Sequence, residues 1–253
     1  MIDNFACPKC KMDLDINLKE EKYQCGHCTF HGEIVNNIPV FVPQERTKIK
    51  KGIGESIFRL PRFYTLFVAM KRLIYKDTVL GINEFIAGCD VLDAGCGPSI
   101  QKEYLEYSPQ HAKTLTGIDS SLPFVEATKA ENIGPQYLFL AGNITEIPFK
   151  DKSFDTSIVS FVIHHVPENP QKVFEELARV TKKHIVVFDH LRSENFFKNI
   201  IQTLYWNIFD GGCNYLNNTE WKEIFKQFKV IKHISTGAIF GHVVKFVLEV
   251  PQN

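Results

Sequence analysis

The run Asp90-Val91-Leu92-Asp93-Ala94-Gly95-Cys96-Gly97 constrains the fold more than any other part of this chain. It reads as a buried strand that stops in a turn where two glycines let the backbone bend and come close to a ligand. Such a strand needs helices on both sides, and the following sequence alternates accordingly. Residues 114–118 form a second strand ending in Asp119, and a helix starts near Ser121 with Pro123 in its first turn. Strands at 137–140, 154–161 and 184–189 follow. Between the last two, Asn169 caps a helix that begins at Pro170 and buries Val173, Phe174, Leu177 and Val180. The predicted class is α/β, a doubly wound Rossmann-like sheet that binds its ligand at the carboxyl ends of the strands.

Cys7-Pro8-Lys9-Cys10 and Cys25-Gly26-His27-Cys28 form two C-x2-C pairs 14 residues apart. Two such turns supply four thiolates to one tetrahedral ion, and the alternation of Leu14, Ile16 and Leu18 before Tyr23 reads as the hairpin between them. The set predicts a structural zinc on Cys7, Cys10, Cys25 and Cys28, with no open position for catalysis. Four core cysteines without metal are the alternative. His27 and His31 read as neighbours of the site rather than ligands. The start of the chain has no export signal, so a reducing, cytoplasmic setting is expected.

Net charge is zero, with 29 basic and 29 acidic residues, which predicts neither a nucleic-acid binder nor a membrane-surface protein. No apolar run reaches the length of a membrane span. Residues 44–76 are a local exception to the charge balance, rich in Lys and Arg, and Phe63, Phe67, Met70 and Ile74 recur there at helical spacing. They read as a basic linker and lid helix, with contact to RNA phosphates or an anionic lipid as sharper alternatives.

Dinucleotide folds also place a glycine turn after their first strand, but two details favour S-adenosylmethionine. Asp93 would repel a pyrophosphate and attract the ligand's ammonium and sulfonium charges. The third dinucleotide glycine is absent, with Ile100 in its place. Asp119 is positioned to accept hydrogen bonds from a ribose.

"VLDAGCG", the acid ending strand two, "AGNITEIPFKDKSFD" and "SFVIHHV" together resemble class I methyltransferases, closest to those acting on quinones and other small molecules. The resemblance implies that Gly95 and Gly97 line the methionine part of the cofactor and that Asp119, with Ser120 beside it, holds the ribose. It implies further that Asn143 and Ile144 flank adenine and that Ser160 and Phe161 sit near the sulfur. Asn143 and Ser99 depart from the family's usual Asp and Gly. Residues 23–41, with the cysteine pair and "NIPVF", resemble the zinc-ribbon domain of tRNA-methyltransferase activator subunits. The implied division is a zinc ribbon at 1–43, the linker and lid helix at 44–76, and a methyltransferase domain at 77–253 with a substrate-covering insert near 192–218.

His164 and His165, leaving strand four, are the candidates for a catalytic base, against the alternative that both only shape the turn. The aromatic insert suits an apolar or flat acceptor, or else it packs in the core. The preferred acceptor is therefore a small organic or lipid-like molecule. RNA is the main rival, and a non-catalytic protein that docks on a partner through its ribbon is the third reading. Lack of an Asn-Pro-Pro-aromatic tetrad argues against DNA.

Overall fold

The computed structural model describes residues 4–42, 82–98, 112–167, 169–209, 211–238 and 241–251. Four short strands come first: β1 (Leu14–Asn17), β2 (Lys22–Cys25), β3 (His31–Val35) and β4 (Ile38–Val40). Next come α1 (Asn83–Ile86), β5 (Asp90–Ala94), β6 (Thr114–Asp119), α2 (Leu122–Glu131), β7 (Tyr137–Ala141) and β8 (Phe154–Ser160). A tight turn at Ile163–His165 leads to α3 (Pro170–Val180) and β9 (Thr181–Leu191). The chain closes with α4 (Phe196–Phe209), α5 (Asn218–Ile224), β10 (Lys229–Ala238) and β11 (Gly241–Glu249). The expected helix carrying Phe63 to Ile74, together with Ser99 and Ile100, lies outside the described residues.

All the strands belong to one sheet, ordered β1-β2-β3-β4-β7-β6-β5-β8-β9-β11-β10. From β4 to β9 the neighbours are parallel, while both ends of the sheet are antiparallel. From β5 the chain winds outward through β6 and β7, then returns to β8 and winds the other way. Strand order therefore reverses beside β5, which is where a doubly wound sheet opens a crevice for its ligand.

Alternation along the central strands separates two cores. Leu92, Val159, Ile185 and Val187 face one side, with Phe174, Leu177 and Trp221. Val91, Ile158, Val186 and Phe188 face the other, with Ile82 and Ile86. Helix α3 buries the stripe its sequence announces, and the Asn169 side chain accepts from Gln171 N at its start. The cysteine-bearing segment shares the first core, because Phe5, Tyr23 and Phe41 pack among Leu140, Ile144 and Phe149.

One expectation about segment limits needs correction. Strand five is longer than 184–189 and starts straight after α3, because Thr181 already pairs with Phe154 of β8. Helix α5 carries Trp221 and stops at Ile224, and Phe225 and Phe228 beyond it are buried as well. Among the described residues no helix is long and apolar enough to cross a membrane.

Lys245 on β11 is fully buried and its Nζ has no hydrogen-bond partner among the described residues, lying 5.4 Å from the Phe188 ring centroid. Burial first, and the charge of Lys232 second, push its pKa down to about 8. The unfolded chain holds this proton up to about pH 10, so the burial penalty is present below pH 8 and stability rises between those values. Lys245→Met is expected to stabilise the protein by about 2–3 kcal/mol at pH 7 and to remove that rise. Urea unfolding at pH 7 and pH 10 measures both effects.

Candidate active site

The ends of β5, β6, β7 and β8 meet at the crevice. Gly95 has φ +82 and Gly97 has φ +55, so both occupy the left-handed region that favours glycine. Gly95 N and Cys96 N donate to Ile118 O at 2.7 and 3.0 Å, which folds the turn back on the end of β6. A Cβ on Gly95 would lie 2.3 Å from Val162 Cγ2. Gly95→Ala is therefore expected to lose about 2–4 kcal/mol of stability through clash and backbone strain. Thermal denaturation checks this.

Asp119 ends β6 with its carboxylate accepting from Gly97 N at 3.0 Å and Ser121 N at 2.8 Å. Burial raises its pKa, against the opposing pull of those backbone N–H groups. Gly142 N donates to Asp119 O at 2.8 Å, which draws the loop bearing Asn143 and Ile144 to the same crevice. Ile144 is buried, and Asn143 Oδ1 accepts from Thr145 N at 3.0 Å. Asp93 and Ser160 are buried, and Ser120 is exposed. Asp93 is paired with Gly117 and Ile158 in the parallel register, and Ser160 ends β8 one step beyond the Ala94–Val159 pair. Eight positions named from the sequence thus meet at one edge of the sheet. The glycine turn and the Asp119 carboxylate fit a ligand with a ribose and a methionine chain.

Phe161 follows Ser160 with φ +55, a strained conformation for an aromatic residue, and its N–H donates to Phe188 O. That reversal feeds the turn bearing the two histidines. His164 is buried and His165 exposed, with their rings 4.1 Å apart. His164 Nδ1 lies 2.5 Å from Asp189 Oδ1, at the end of β9. Burial would raise the Asp189 pKa, but the charge and hydrogen bond of His164 overcome this and hold the carboxyl below its usual value. An ionised carboxylate only accepts, so His164 Nδ1 carries a proton and Nε2 is the basic nitrogen. Asp189 also accepts from Ile163 N and His190 N at 2.9 and 2.6 Å.

Tyr215 stacks on His164 at 5.2 Å and on Trp206 at 4.3 Å, while Phe161 and Trp206 each approach the His190 ring at 5.2 Å. The segment 211–215 lies over His164: Cys213 N and Asn214 N both donate to His164 O. Asp189, His190, Trp206 and Tyr215 were not singled out from the sequence. A carboxylate near the end of an apolar strand, as with Asp93 and Asp119, was the available signal for Asp189.

The four cysteines form a separate cluster, with all their sulfurs within 4.8 Å of one another. Cys7–Cys28 and Cys10–Cys25 are 3.5 and 3.4 Å apart, too long for disulfides and close to the edge of about 3.8 Å expected for tetrahedral zinc thiolate. The donor set therefore fits zinc, and the His27 backbone N–H foremost pulls the Cys25 thiol down to about 6.

Residues 92–188 match the family model described as "Methyltransferase domain". They form a class I methyltransferase domain. The domain's curated relatives include a demethylmenaquinone methyltransferase of Paenarthrobacter aurescens, 37% identical over 108 residues, 43% of this chain and 40% of that one. A phosphatidylethanolamine N-methyltransferase of Cereibacter sphaeroides is 33% identical over 109 residues, 41% of this chain and 51% of that one. The chain thus spans about half or less of the length of these relatives. Among solved structures, a chain from the complex containing the Haloferax volcanii Trm112 methyltransferase activator superposes with a TM-score of 0.63 at 17% identity, covering 79% of this chain and 98% of that one. Magnesium protoporphyrin IX methyltransferase of Synechocystis gives 0.52 at 16% identity, covering 82% and 92%. Both share the methyltransferase fold.

Proposed function

We propose that the chain transfers the methyl group of S-adenosylmethionine to a hydroxyl, phenol or acidic carbon of a small organic or lipid-like acceptor. The observation that carries this reading is the buried His164–Asp189 pair, just past the carboxyl end of β8 and beside the glycine turn. The cofactor supplies an already activated methyl, so the protein's tasks are alignment, exclusion of water and removal of the acceptor's proton. Gly95 and Gly97 let the backbone approach the methionine part, with Asp93 supplying negative charge to its cationic groups. Asp119, with Ser120, holds the ribose; Asn143 and Ile144 flank adenine, and Ser160 lies toward the sulfur.

His164 is the base. As the acceptor's oxygen or carbon takes the methyl, its proton passes to Nε2, and Asp189 stabilises the imidazolium through Nδ1. His165, whose side chain is exposed, is the weaker candidate. Two relatives are named for methylating demethylmenaquinone and phosphatidylethanolamine, which supports a lipid-like acceptor. Cys7, Cys10, Cys25 and Cys28 hold a structural zinc.

Transfer from tritiated S-adenosylmethionine into host lysate, separated into RNA, protein and organic extract, tests the reading. Label is expected in the organic extract, absent with Asp119→Ala. Label in RNA would replace the acceptor class, and failure to bind the cofactor would leave a non-catalytic, partner-binding role.

A further inference from the structure

The loop from Gly142 to Lys150 carries Asn143 and Ile144, and the cysteine-bearing segment holds it at both ends. At its start Val40 of β4 pairs with Ala141, and Phe41 N donates to Ala141 O at 2.7 Å. At its far end Ala6 N donates to Pro148 O at 3.1 Å and Lys150 N to Asn4 O at 2.9 Å. The Phe5 and Phe149 rings are 5.0 Å apart. The middle is gripped from α3, where Glu176 Oε2 accepts from Ile147 N at 2.7 Å and from Lys11 Nζ at 2.8 Å, and Arg179 donates to Ile147 O and Phe149 O at 2.9 and 2.7 Å.

These anchors belong to the metal-binding turns themselves. Ala6 precedes Cys7, Lys11 follows Cys10, and Lys11 has φ +64 with its N–H donating to Cys7 O at 2.9 Å. Tyr23, two residues before Cys25, donates its hydroxyl proton to Val40 O, so the second turn is tied to β4 as well. Within the loop, Thr145 N and Glu146 N fold back on Asn143, which fixes that residue relative to the anchored ends.

We propose that the cysteine module positions the adenine-side loop, so that Phe5, Lys11 and Phe41 act as positioning residues for cofactor affinity. This rests on the reading that Asn143 and Ile144 flank adenine. Lys11 gives the cleanest test, because its side chain is partly exposed and makes its ion pair with Glu176 at the surface of the core. The charge can be removed there without opening a cavity.

The experiment is calorimetric titration of S-adenosylhomocysteine into the zinc-loaded full chain carrying Lys11→Met, Lys11→Arg or, as a control on the same module, Lys19→Met. Lys11→Met is expected to weaken binding about fivefold, a typical strength for coupling between sites. Lys11→Arg and Lys19→Met should stay within about twofold of the parent, and all three should keep their zinc and melting temperature. A purely structural Lys11 would lower the melting temperature without moving the dissociation constant. Wild-type affinity in Lys11→Met overturns the proposal. If the unaltered protein fails to bind S-adenosylhomocysteine, the cofactor reading itself falls.

Discussion

Stripping the metal from the cysteine cluster, or replacing Cys25 with serine, is expected to melt the catalytic sheet and not only the first 42 residues. Four thiolates on one zinc contribute about 10–16 kcal/mol of binding free energy that is available only to the folded site. That energy is not confined to the module. Phe5, Tyr23 and Phe41 lie in the same core as Leu140, Ile144 and Phe149, and β4 is hydrogen-bonded to β7. A loss of even about 5 kcal/mol moves the midpoint of a chain this size by roughly 10–20 °C. Trp221, buried against Phe225 and Phe246 at the far side of the core, reports the catalytic half by fluorescence. Its transition should shift down together with that of the whole chain by circular dichroism. An unmoved main transition, with a small early one for the module, would show that the two halves unfold independently.

Asp189→Asn should lower turnover by about a hundredfold or more, with cofactor affinity kept within about twofold. An amide presents a donor as well as an acceptor to His164 Nδ1. Where the NH2 group faces the ring, the imidazole proton moves to Nε2 and the base is lost. The variant should also be less stable by about 1–3 kcal/mol, since Ile163 N and His190 N lose a charged acceptor. The pH sign follows from the carboxyl being held below its ordinary value. The pair's contribution is complete above the unfolded carboxyl value of about 4 and disappears as pH falls through the folded one, and the variant lacks this acid-sensitive part. Methyl transfer to the labelled acceptor, together with nitrogen shifts of the His164 ring, measures both effects. Wild-type turnover at every pH would remove His164 from the chemistry.

Much of this site was legible because its parts are local. Gly95 and Gly97 end a strand, Asp119 ends the next, and each follows from its immediate neighbours. The choice between His164 and His165 was not legible, since the partner that decides it lies 25 residues away on another strand. The orientation of helix α4 was not legible for a different reason. Apolar spacing marks a face but not the direction it points: Phe196 and Phe197 are 69% and 74% exposed, while Gln202 and Trp206 turn inward. Phe196, Phe197, Ile200, Ile201 and Leu204 are exposed, outside the core of the described residues. The pairing of β4 with β7 joins residues a hundred positions apart, and no local signal in either strand announces it.

The placement of β4 has one more consequence, for solubility. Without it, β7 would be the outer strand of the parallel part of the sheet, and Ala141, where β4 pairs with it, would lose its ladder partner. As built, that side of the sheet ends instead in β1, four residues long and half polar. The opposite border, β10, carries Lys229 and Lys232 and a register irregularity between Val230 and Lys232. Short length, charge and a bulge are the usual ways in which a sheet discourages strand-by-strand growth. Deleting the first 42 residues would therefore uncover a sticky border as well as remove the four-cysteine cluster, and the shortened protein is expected to self-associate through β7.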